Sequence, residues 1–378
     1  MRLTLPAADL SAGLALATAA MPASKRMVRL VARESDAAVI GTDKTMSVAA
    51  TMPASVYVAG EVVLDAGRLA GIADHADDTV AMSSTDTNVS IIAGDGKYKL
   101  PIVFDPLPAE LVLDDKEAGI TISAQDCRRL FEPVACAGRE SSRFYLQGIC
   151  LLSEADGLAS TATDGVRLMR TKIAAPEFTT DRRLIIPSKS VLAIDRLVRR
   201  EAGMLTLQRN RWLFSIAGSG FTAATKLIDF TYPDLTSVLP AASDDAAIIR
   251  RKDLAGSLAR IMAAADGEAP LLAIEWHEPG PVYLYLARQP DAGSDLVEAE
   301  TTGNAQIAVA PQALAPLLDE FSSLQLRIEI TDKLAIYGDR KLGVVSSMQW
   351  NFEPRTSPGA GRTRPPKGAD RQGVSKCA

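Results

Sequence analysis

The sequence is built from three copies of one pattern, and this repetition limits the folds open to it. Each copy begins with a short strand-like segment, followed by an acidic residue in the first turn of a predicted helix. These residues are Asp9, Asp126 and Asp253, at intervals of 117 and 127 residues. A carboxylate there is stabilised by the positive end of the helix dipole. Each helix then carries an apolar stripe at helical spacing: Leu10, Leu14, Ala17 and Met21; Cys127, Leu130, Phe131 and Val134; and Leu254, Leu258, Ile261 and Ala265.

The second half of each copy repeats as well. A strand, a helix and two further strands follow in the same order, and the last strand ends at Gly94, Gly218 or Gly338. The predicted helices cover residues 67–74, 188–200 and 312–321. The glycines recur at intervals of 124 and 120 residues, close to the spacing of the acidic residues. Two markers with one period indicate duplicated domains, because solenoid repeats have periods of only about 20 to 50 residues.

The repeated pattern predicts an α+β fold with three similar domains, each an antiparallel sheet with two helices over its buried face. Polar runs set the predicted boundaries at residues 1–115, 116–243 and 244–352. Aromatic residues make up only 5% of the chain, so the core must be mostly aliphatic. Residues 353–378 are rich in Pro, Gly and basic side chains and are predicted to be disordered. This tail is either a basic arm for nucleic acid or a solvated end.

Motifs that would carry catalysis or hold a metal are missing from the sequence. Gly94-Asp95-Gly96-Lys97 resembles the end of a phosphate-binding loop, but the first glycine and the final Ser or Thr are absent. The two histidines stand alone, and no pair of the four cysteines has C-x-x-C spacing. We therefore expect no metal, no cofactor and no catalytic residue, and reduced thiols in a cytoplasmic protein.

A series of motifs in a fixed order resembles the bacterial β sliding clamps, the processivity subunits of DNA polymerase III. The series is RFYLQG at 143–148, ATDGVRL at 162–168, IPSK at 186–189, KLID at 226–229, YPD at 232–234 and VLP at 238–240, with YKLP at 98–101 in the first copy. The resemblance covers roughly residues 1–350. It implies the clamp fold: three alike domains per chain, with two chains closing head to tail into a ring around duplex DNA.

A clamp has no catalytic activity and holds DNA through sequence-independent phosphate contacts. The implied partners are duplex DNA, the α subunit of DNA polymerase III, the clamp loader, other proteins with clamp-binding motifs, and a second copy of the chain. The residues predicted to contact DNA are Lys25, Arg26, Arg68, Arg128, Arg129, Arg139, Arg143, Phe144, Tyr145, Arg196, Arg199, Arg200, Arg250 and Arg251. The alternative for the charged residues is an ordinary solvated helix surface.

The resemblance also implies a hydrophobic cleft for partner peptides between the second and third domains. The residues predicted to form it are Leu146, Thr163, Gly165, Val166, Arg167, Leu168, Pro233, Ser237, Val238, Val344 and Ser346. The dimer interface is predicted at Phe104, Leu107, Ala263 and Ala264.

Several of these positions depart from the family pattern. Thr236 or Ser237 aligns with a usual Arg, Ser346 aligns with an apolar Met, and Ala263 and Ala264 align with larger aliphatic residues. Deleting buried aliphatic groups costs about 2 to 5 kcal/mol each in a core, so the dimer would be weakened. A second hypothesis therefore stays open: a clamp-derived accessory interaction protein that is monomeric or has altered partner specificity.

Overall fold

A computed structural model describes residues 1–21, 26–179, 183–266, 270–288 and 293–350. The chain divides into two units, Met1–Met348 and Gln349–Ala378, and only Gln349 and Trp350 of the second are described. The predicted tail, 353–378, and the predicted DNA contact Lys25 lie outside the described residues. The three-domain boundaries stay a prediction, because Met1–Met348 forms one unit.

The secondary structure follows the threefold pattern of the sequence. The first repeat runs β1 (Arg2–Pro6), α1 (Ala7–Ala17), β2 (Met27–Ala32), β3 (Asp36–Thr42), β4 (Met46–Pro53), β5 (Ser55–Val58), β6 (Gly60–Asp65), α2 (Ala66–Ala73), β7 (Thr79–Ser84), β8 (Asn88–Ala93) and β9 (Gly96–Pro101). The second runs β10 (Ala118–Ser123), α3 (Ala124–Phe131), β11 (Gly148–Glu154), β12 (Gly157–Thr163), β13 (Arg167–Ile173), β14 (Leu184–Pro187), α4 (Ser188–Val198), β15 (Met204–Arg209), β16 (Leu213–Ala217) and β17 (Phe221–Lys226). The third runs β18 (Ala246–Arg250), α5 (Arg251–Ala263), β19 (Leu272–His277), β20 (Val282–Leu286), β21 (Ser294–Val297), β22 (Ala299–Thr302), β23 (Asn304–Val309), α6 (Pro311–Asp319), β24 (Gln325–Ile330), β25 (Lys333–Gly338) and β26 (Lys341–Ser346).

The helices begin where the sequence predicts. Asp9, Asp126 and Asp253 all lie in the first turn of their helices. The Ser123 hydroxyl caps α3 by accepting the Asp126 N–H at 3.0 Å, and the Asp65 carboxylate caps α2 by accepting the Arg68 N–H at 2.9 Å. Because these caps satisfy amide groups that have no partner inside the helix, they fix each start to one residue.

The helices end earlier than the apolar stripes predict. Met21 lies beyond α1, Ala265 lies beyond α5, and Val134 lies in a 3₁₀ turn, Glu132–Cys136, that follows α3. The strands β5 and β22 were not predicted, and they add an outer strand to the first and third repeats. Neither segment shows an alternation of apolar and polar residues that would have identified it, because both are largely exposed.

Every repeat contributes strands to two antiparallel sheets, and the sheets run from one repeat into the next. One continuous sheet has the order β10-β15-β16-β17-β4-β3-β2-β6, so β17 of the second repeat pairs with β4 of the first. Another has the order β14-β11-β12-β13-β26-β25-β24-β18-β22, so β13 pairs with β26 of the third repeat. The two remaining sheets, β5-β1-β7-β8-β9 and β21-β20-β19-β23, end at β9 and β21.

Three apolar cores lie between the helices and these sheets, and neighbouring repeats share them. Met46 and Val48 of β4 belong to the core of the second repeat, and Met169 of β13 belongs to the core of the third. In each repeat the two helices pack against each other. The α+β fold class predicted from the sequence is thus confirmed. Across the described ranges, no helix is long and apolar enough to cross a membrane.

The hairpin turn between β25 and β26 holds two residues in the left-handed region. Asp339 has φ +53° and Arg340 has φ +60°, positions where glycine is favoured. The Asp339 carboxylate accepts hydrogen bonds from the N–H and hydroxyl groups of Ser322 and Ser323. Burial alone would raise the pKa of Asp339, but these bonds outweigh it and hold the pKa at about 2.

An Arg340→Gly variant is therefore expected to be more stable by about 1 kcal/mol, because it relieves the left-handed strain. Thermal unfolding checks this result. The matched control is Asp339→Gly, which relieves similar strain but removes the bonds to Ser322 and Ser323. It should lower stability, and a gain in both variants would mean that the carboxylate bonds contribute little.

Candidate functional site

The pair of strands that joins the second and third repeats forms the base of a groove. Leu168 of β13 lies opposite Val344 of β26 in the antiparallel register. Both side chains are buried, with exposed fractions of 1% and 2%. The groove therefore has an apolar base that is built from two repeats at once, and we name it the β13–β26 groove.

A tight turn ahead of β13 forms one side of the β13–β26 groove. The Thr163 hydroxyl donates to the Arg167 carbonyl at 2.7 Å and accepts the Gly165 N–H at 3.0 Å. Gly165 has φ +96°, and a Cβ there would lie 2.5 Å from a guanidinium nitrogen of Arg143. A side chain at this position would thus be strained and would displace Arg143. The turn leaves Val166 44% exposed.

The opposite side is a segment without regular structure at residues 232–238. Tyr232 is fully buried and anchors it. The Arg183 guanidinium donates to the carbonyls of Tyr232 at 3.1 Å and Pro233 at 3.0 Å, and to the Asp234 carboxylate at 2.9 Å. The Val238 N–H donates to the Leu235 carbonyl at 2.9 Å. These bonds hold an otherwise irregular segment in one place.

The groove contains a cavity of about 310 Å³. Its lining residues are Arg143, Tyr145, Leu146, Thr163, Gly165, Val166, Arg167, Leu168, Pro233, Leu235, Val238, Lys333, Val344 and Ser346. The structure thus brings together every predicted cleft residue except Ser237, although positions 146 and 346 are far apart in sequence. The Ser237 carbonyl instead accepts a hydrogen bond from the Lys333 ammonium at 3.3 Å, just beside the cavity.

The sequence alone misses two lining residues and assigns two others to a different role. Leu235 and Lys333 belong to no motif, and Lys333 is brought in only because β25 lies next to β26. Arg143 and Tyr145 were predicted to contact DNA, but the structure puts both in the wall of the cavity. Arg143 also forms an ion pair with Glu140 at 2.9 Å.

An exposed aromatic cluster adjoins this wall. The rings of Phe144 and Tyr145 each lie 5.1 Å from the ring of Phe230, edge-on and stacked respectively. Phe144 and Phe230 remain 45% and 50% exposed. Three aromatic residues packed together at a surface widen the apolar area next to the groove.

The predicted DNA contacts fall on helices and on the segments beside them. Arg68 lies on α2, Arg128 and Arg129 on α3, Arg196 on α4 and Arg251 on α5. Arg139 lies in the loop after the 3₁₀ turn, and Arg250 is the last residue of β18. Arg199 and Arg200 follow the end of α4, and Arg26 precedes β2.

These basic residues differ in how far their charge is already neutralised. Three of them form ion pairs with acidic residues three or four positions away: Arg129 with Asp126, Arg199 with Asp195, and Arg250 with Asp253. Arg128 lies 3.4 Å from two backbone carbonyls. Of the predicted DNA contacts that the structure describes, five are exposed arginines without a side-chain partner: Arg26, Arg68, Arg139, Arg196 and Arg200. These five present the most available positive charge.

The predicted dimer residues lie beside β9 and β21, each an edge strand of its sheet among the described residues. Phe104 is 73% exposed and Leu107 is half-buried, just after β9. Ala263 and Ala264 are exposed at the end of α5, which packs against β21. The Arg260 guanidinium binds Asp295 of β21 at 3.0 Å, which ties the same helix to the same edge.

Comparison with known proteins gives one consistent result. Residues 121–234 match the family model described as DNA polymerase III beta subunit, central domain. The beta sliding clamp of Caulobacter vibrioides is 27% identical over 277 residues, which cover 68% of this chain and 72% of that protein. The beta sliding clamp of Pseudomonas putida is 26% identical over 209 residues, 53% of this chain and only 56% of that protein. The chain thus spans little more than half of that relative.

The likeness in fold extends further than the likeness in sequence. The crystal structure of the DNA polymerase III subunit beta from Pseudomonas aeruginosa matches with a TM-score of 0.85 and 20% identity, over 92% of this chain and 100% of that one. The chain is a divergent relative of the β sliding clamps. The resemblance inferred from the motif series is confirmed, and so is the α+β fold of the single chain. The segment of this clamp relative that matches the family model, residues 121–234, contains the groove residues from Leu146 to Pro233. The groove residues Lys333, Val344 and Ser346 lie outside the matched segment.

Proposed function

We propose that this chain is a DNA sliding clamp, in which two copies close head to tail around duplex DNA. In this role it is a non-catalytic processivity factor that tethers the polymerase III α subunit, the clamp loader and other proteins with clamp-binding motifs. The proposal draws on the similarity to β sliding clamps. It is carried by the edge strands β9 and β21, whose equivalents in the other repeats are paired at the joints inside the chain.

Strand order supports ring closure. At both joints inside the chain, the last strand of one repeat pairs with the fourth strand of a neighbouring repeat: β17 with β4, and β26 with β13. Among the described strands, the equivalent ones that have no such partner are β9, the last of the first repeat, and β21, the fourth of the third repeat. An edge with unpaired N–H and C=O groups is a template for another strand. Pairing β9 of one copy with β21 of another would repeat the same joint, and two such joints would close a dimer.

Helix ends support the same closure. Leu16 and Ala19, at the end of the first helix of repeat one, pack against the core of repeat two. Cys136, just after the first helix of repeat two, lies in the core of repeat three. Ala263 and Ala264 end the first helix of repeat three and are exposed. In the first two repeats, the end of this helix packs against the next repeat. The end of α5 would therefore pack against the first repeat of a second copy.

The charge distribution supports DNA in the centre of such a ring. Of the five arginines without a partner, Arg68 and Arg196 lie on helices and Arg200 just follows α4, whereas Arg26 and Arg139 lie in loops. Because the contacts would be to phosphates, binding should release counterions and weaken as salt rises. The β13–β26 groove supports docking, because an apolar cavity with a few polar groups suits a short peptide.

A second candidate function is supported by the small interface residues. Ala263 and Ala264 offer little apolar area at the end of α5, and Ser346 puts a hydroxyl where the family carries an apolar side chain. Both changes favour an accessory interaction protein that is monomeric or has altered partner specificity. The mass in solution separates the two functions, because the ring requires twice 40.1 kDa.

Retention on circular DNA tests the proposed clamp directly. Loaded onto a nicked circle by a clamp loader, the protein should stay bound at moderate salt, and it should be lost once the circle is linearised. On linear duplex alone, binding should be weak, independent of sequence and sensitive to salt. Gel filtration of the loaded DNA before and after linearisation gives the measurement. Equal retention on both forms would contradict encirclement.

A further inference from the structure

We propose that the β13–β26 groove selects a peptide with a carboxylate side chain next to its apolar anchors, and that Lys333 binds this carboxylate. The inference rests on the proposed docking function and adds the chemistry of the partner. It starts from the charges in the cavity wall. Three lining residues are cationic, namely Arg143, Arg167 and Lys333, and none of the lining residues in the described chain is acidic. The remaining wall is mainly apolar.

Two of these cations are already held in place. The Arg167 guanidinium binds the Asp164 carboxylate at 3.1 Å and the Ala135 carbonyl at 3.3 Å, and its side chain is 18% exposed. Arg143 donates to Glu140 at 2.9 Å. Because Asp164 and Ala135 hold Arg167 from two directions, moving its guanidinium would break more than one contact. Arg167 is therefore fixed in the wall.

Lys333 also lines the cavity and is held more loosely. Its two contacts are the Asp332 carboxylate at 2.5 Å and the Ser237 carbonyl at 3.3 Å. An ammonium has three N–H donors, so one remains free. The Lys333 side chain is only 17% exposed, whereas the Asp332 side chain is 72% exposed. An ion pair with such an exposed carboxylate contributes little, so a carboxylate from a ligand can replace it at low cost.

The surroundings of Lys333 make one corner of the groove polar. Ser346 lies directly opposite Lys333 in the β25–β26 register. Its hydroxyl has no hydrogen-bond partner among the described residues and can donate to the same carboxylate. An apolar ligand group over Lys333 would strip water from the ammonium without replacing its bonds. A basic group would be repelled. A peptide Asp or Glu is the residue type that can accept hydrogen bonds from both the Lys333 ammonium and the Ser346 hydroxyl.

Val166, Leu168, Val238 and Val344 make the rest of the wall apolar. A nucleic acid would leave these groups uncovered, because its phosphates need exposed cations. The combination of apolar anchors with one acidic side chain therefore identifies a peptide. The specificity comes from Lys333 and Ser346, which the third repeat supplies.

Peptide titrations with charge-altered variants test the inference. The probes are synthetic peptides of equal length with a Leu and a Phe anchor, and with Asp, Asn or Lys placed before, between or after the anchors. In at least one register, wild type should bind the Asp peptide about tenfold more tightly than the Asn peptide, as for a charge-assisted hydrogen bond. The Lys peptide should bind least tightly. Lys333→Glu should reverse the order, and Lys333→Gln should bind the Asp and Asn peptides alike.

Lys252→Glu is the charge-matched control, because Lys252 is exposed on α5 and is not among the lining residues. It should keep the preference for Asp. The inference is overturned if wild type binds the Asp and Asn peptides equally in all registers, or if Lys333→Glu and Lys333→Gln both still prefer Asp. If folded wild type binds none of the peptides, the docking function itself fails. Equal affinities for the Asp and Asn peptides would therefore contradict the role of Lys333 alone, whereas absent binding would contradict the docking function.

Discussion

A Phe104→Asp variant is expected to run as a monomer of about 40 kDa, whereas wild type runs at twice its 40.1 kDa chain mass. Phe104 follows β9, the edge strand proposed to pair with β21 of the second copy, and its side chain is 73% exposed in a single chain. Replacing it should leave the fold of that chain intact. In the proposed ring, however, the new carboxylate would be buried without a partner, which costs several kcal/mol per joint. The ring contains two identical joints, so the penalty counts twice.

Light scattering coupled to gel filtration gives the mass, and the salt-resistant retention on nicked circles should be lost in the same variant. Leu324→Asp is the matched control, because Leu324 is an apolar residue with 79% exposure in the segment before β24, away from β9 and β21. It should remain dimeric. If wild type is itself monomeric at micromolar concentration, the accessory interaction protein becomes the favoured function. If Phe104→Asp stays dimeric, the interface lies elsewhere.

The fold was predictable because the repeat carries local information three times over. Asp126 and its equivalents mark the helix starts, and alternating apolar residues mark the strands. What local patterns cannot give is pairing between distant strands. Leu168 pairs with Val344 and Thr225 pairs with Met46, and no periodicity near these residues records either contact. The continuous sheets across the joints therefore emerged only from the structure.

The groove was predictable to the extent that its residues lie in contiguous motifs. Residues Thr163 to Leu168 form one turn and the start of β13. The match of this one segment to the family motif therefore predicted all of its groove residues at once. Lys333 had no such support, because it belongs to none of the motifs in the series. Arg143 was predicted as a DNA contact, and its place in the cavity wall was missed. Its motif is clear, but the sequence does not say which side of the repeat the 3₁₀ segment Ser141–Leu146 faces.

The second large effect concerns the base of the β13–β26 groove. A Leu168→Asp variant is expected to lose about 4 kcal/mol of stability or more, because an ionised side chain would be buried without a partner. Leu168 is 1% exposed and lies opposite Val344, at the joint of two repeats. The damage should thus weaken the contact between the second and third repeats as well as the core. Chemical denaturation followed by circular dichroism measures the loss.

A Val166→Asp variant separates binding from stability at the same site. Val166 is 44% exposed at the lip of the groove, and its backbone bonds to Asp164 and Ser346 do not involve the side chain. Its unfolding curve should match wild type, while its affinity for an apolar-anchored peptide should fall about tenfold or more, since an apolar wall becomes charged. Unchanged affinity in a folded Val166→Asp protein would show that peptides do not dock against this lip. A stable Leu168→Asp protein would show that β13 and β26 separate readily in solution, because only an opened joint would let water reach the new carboxylate.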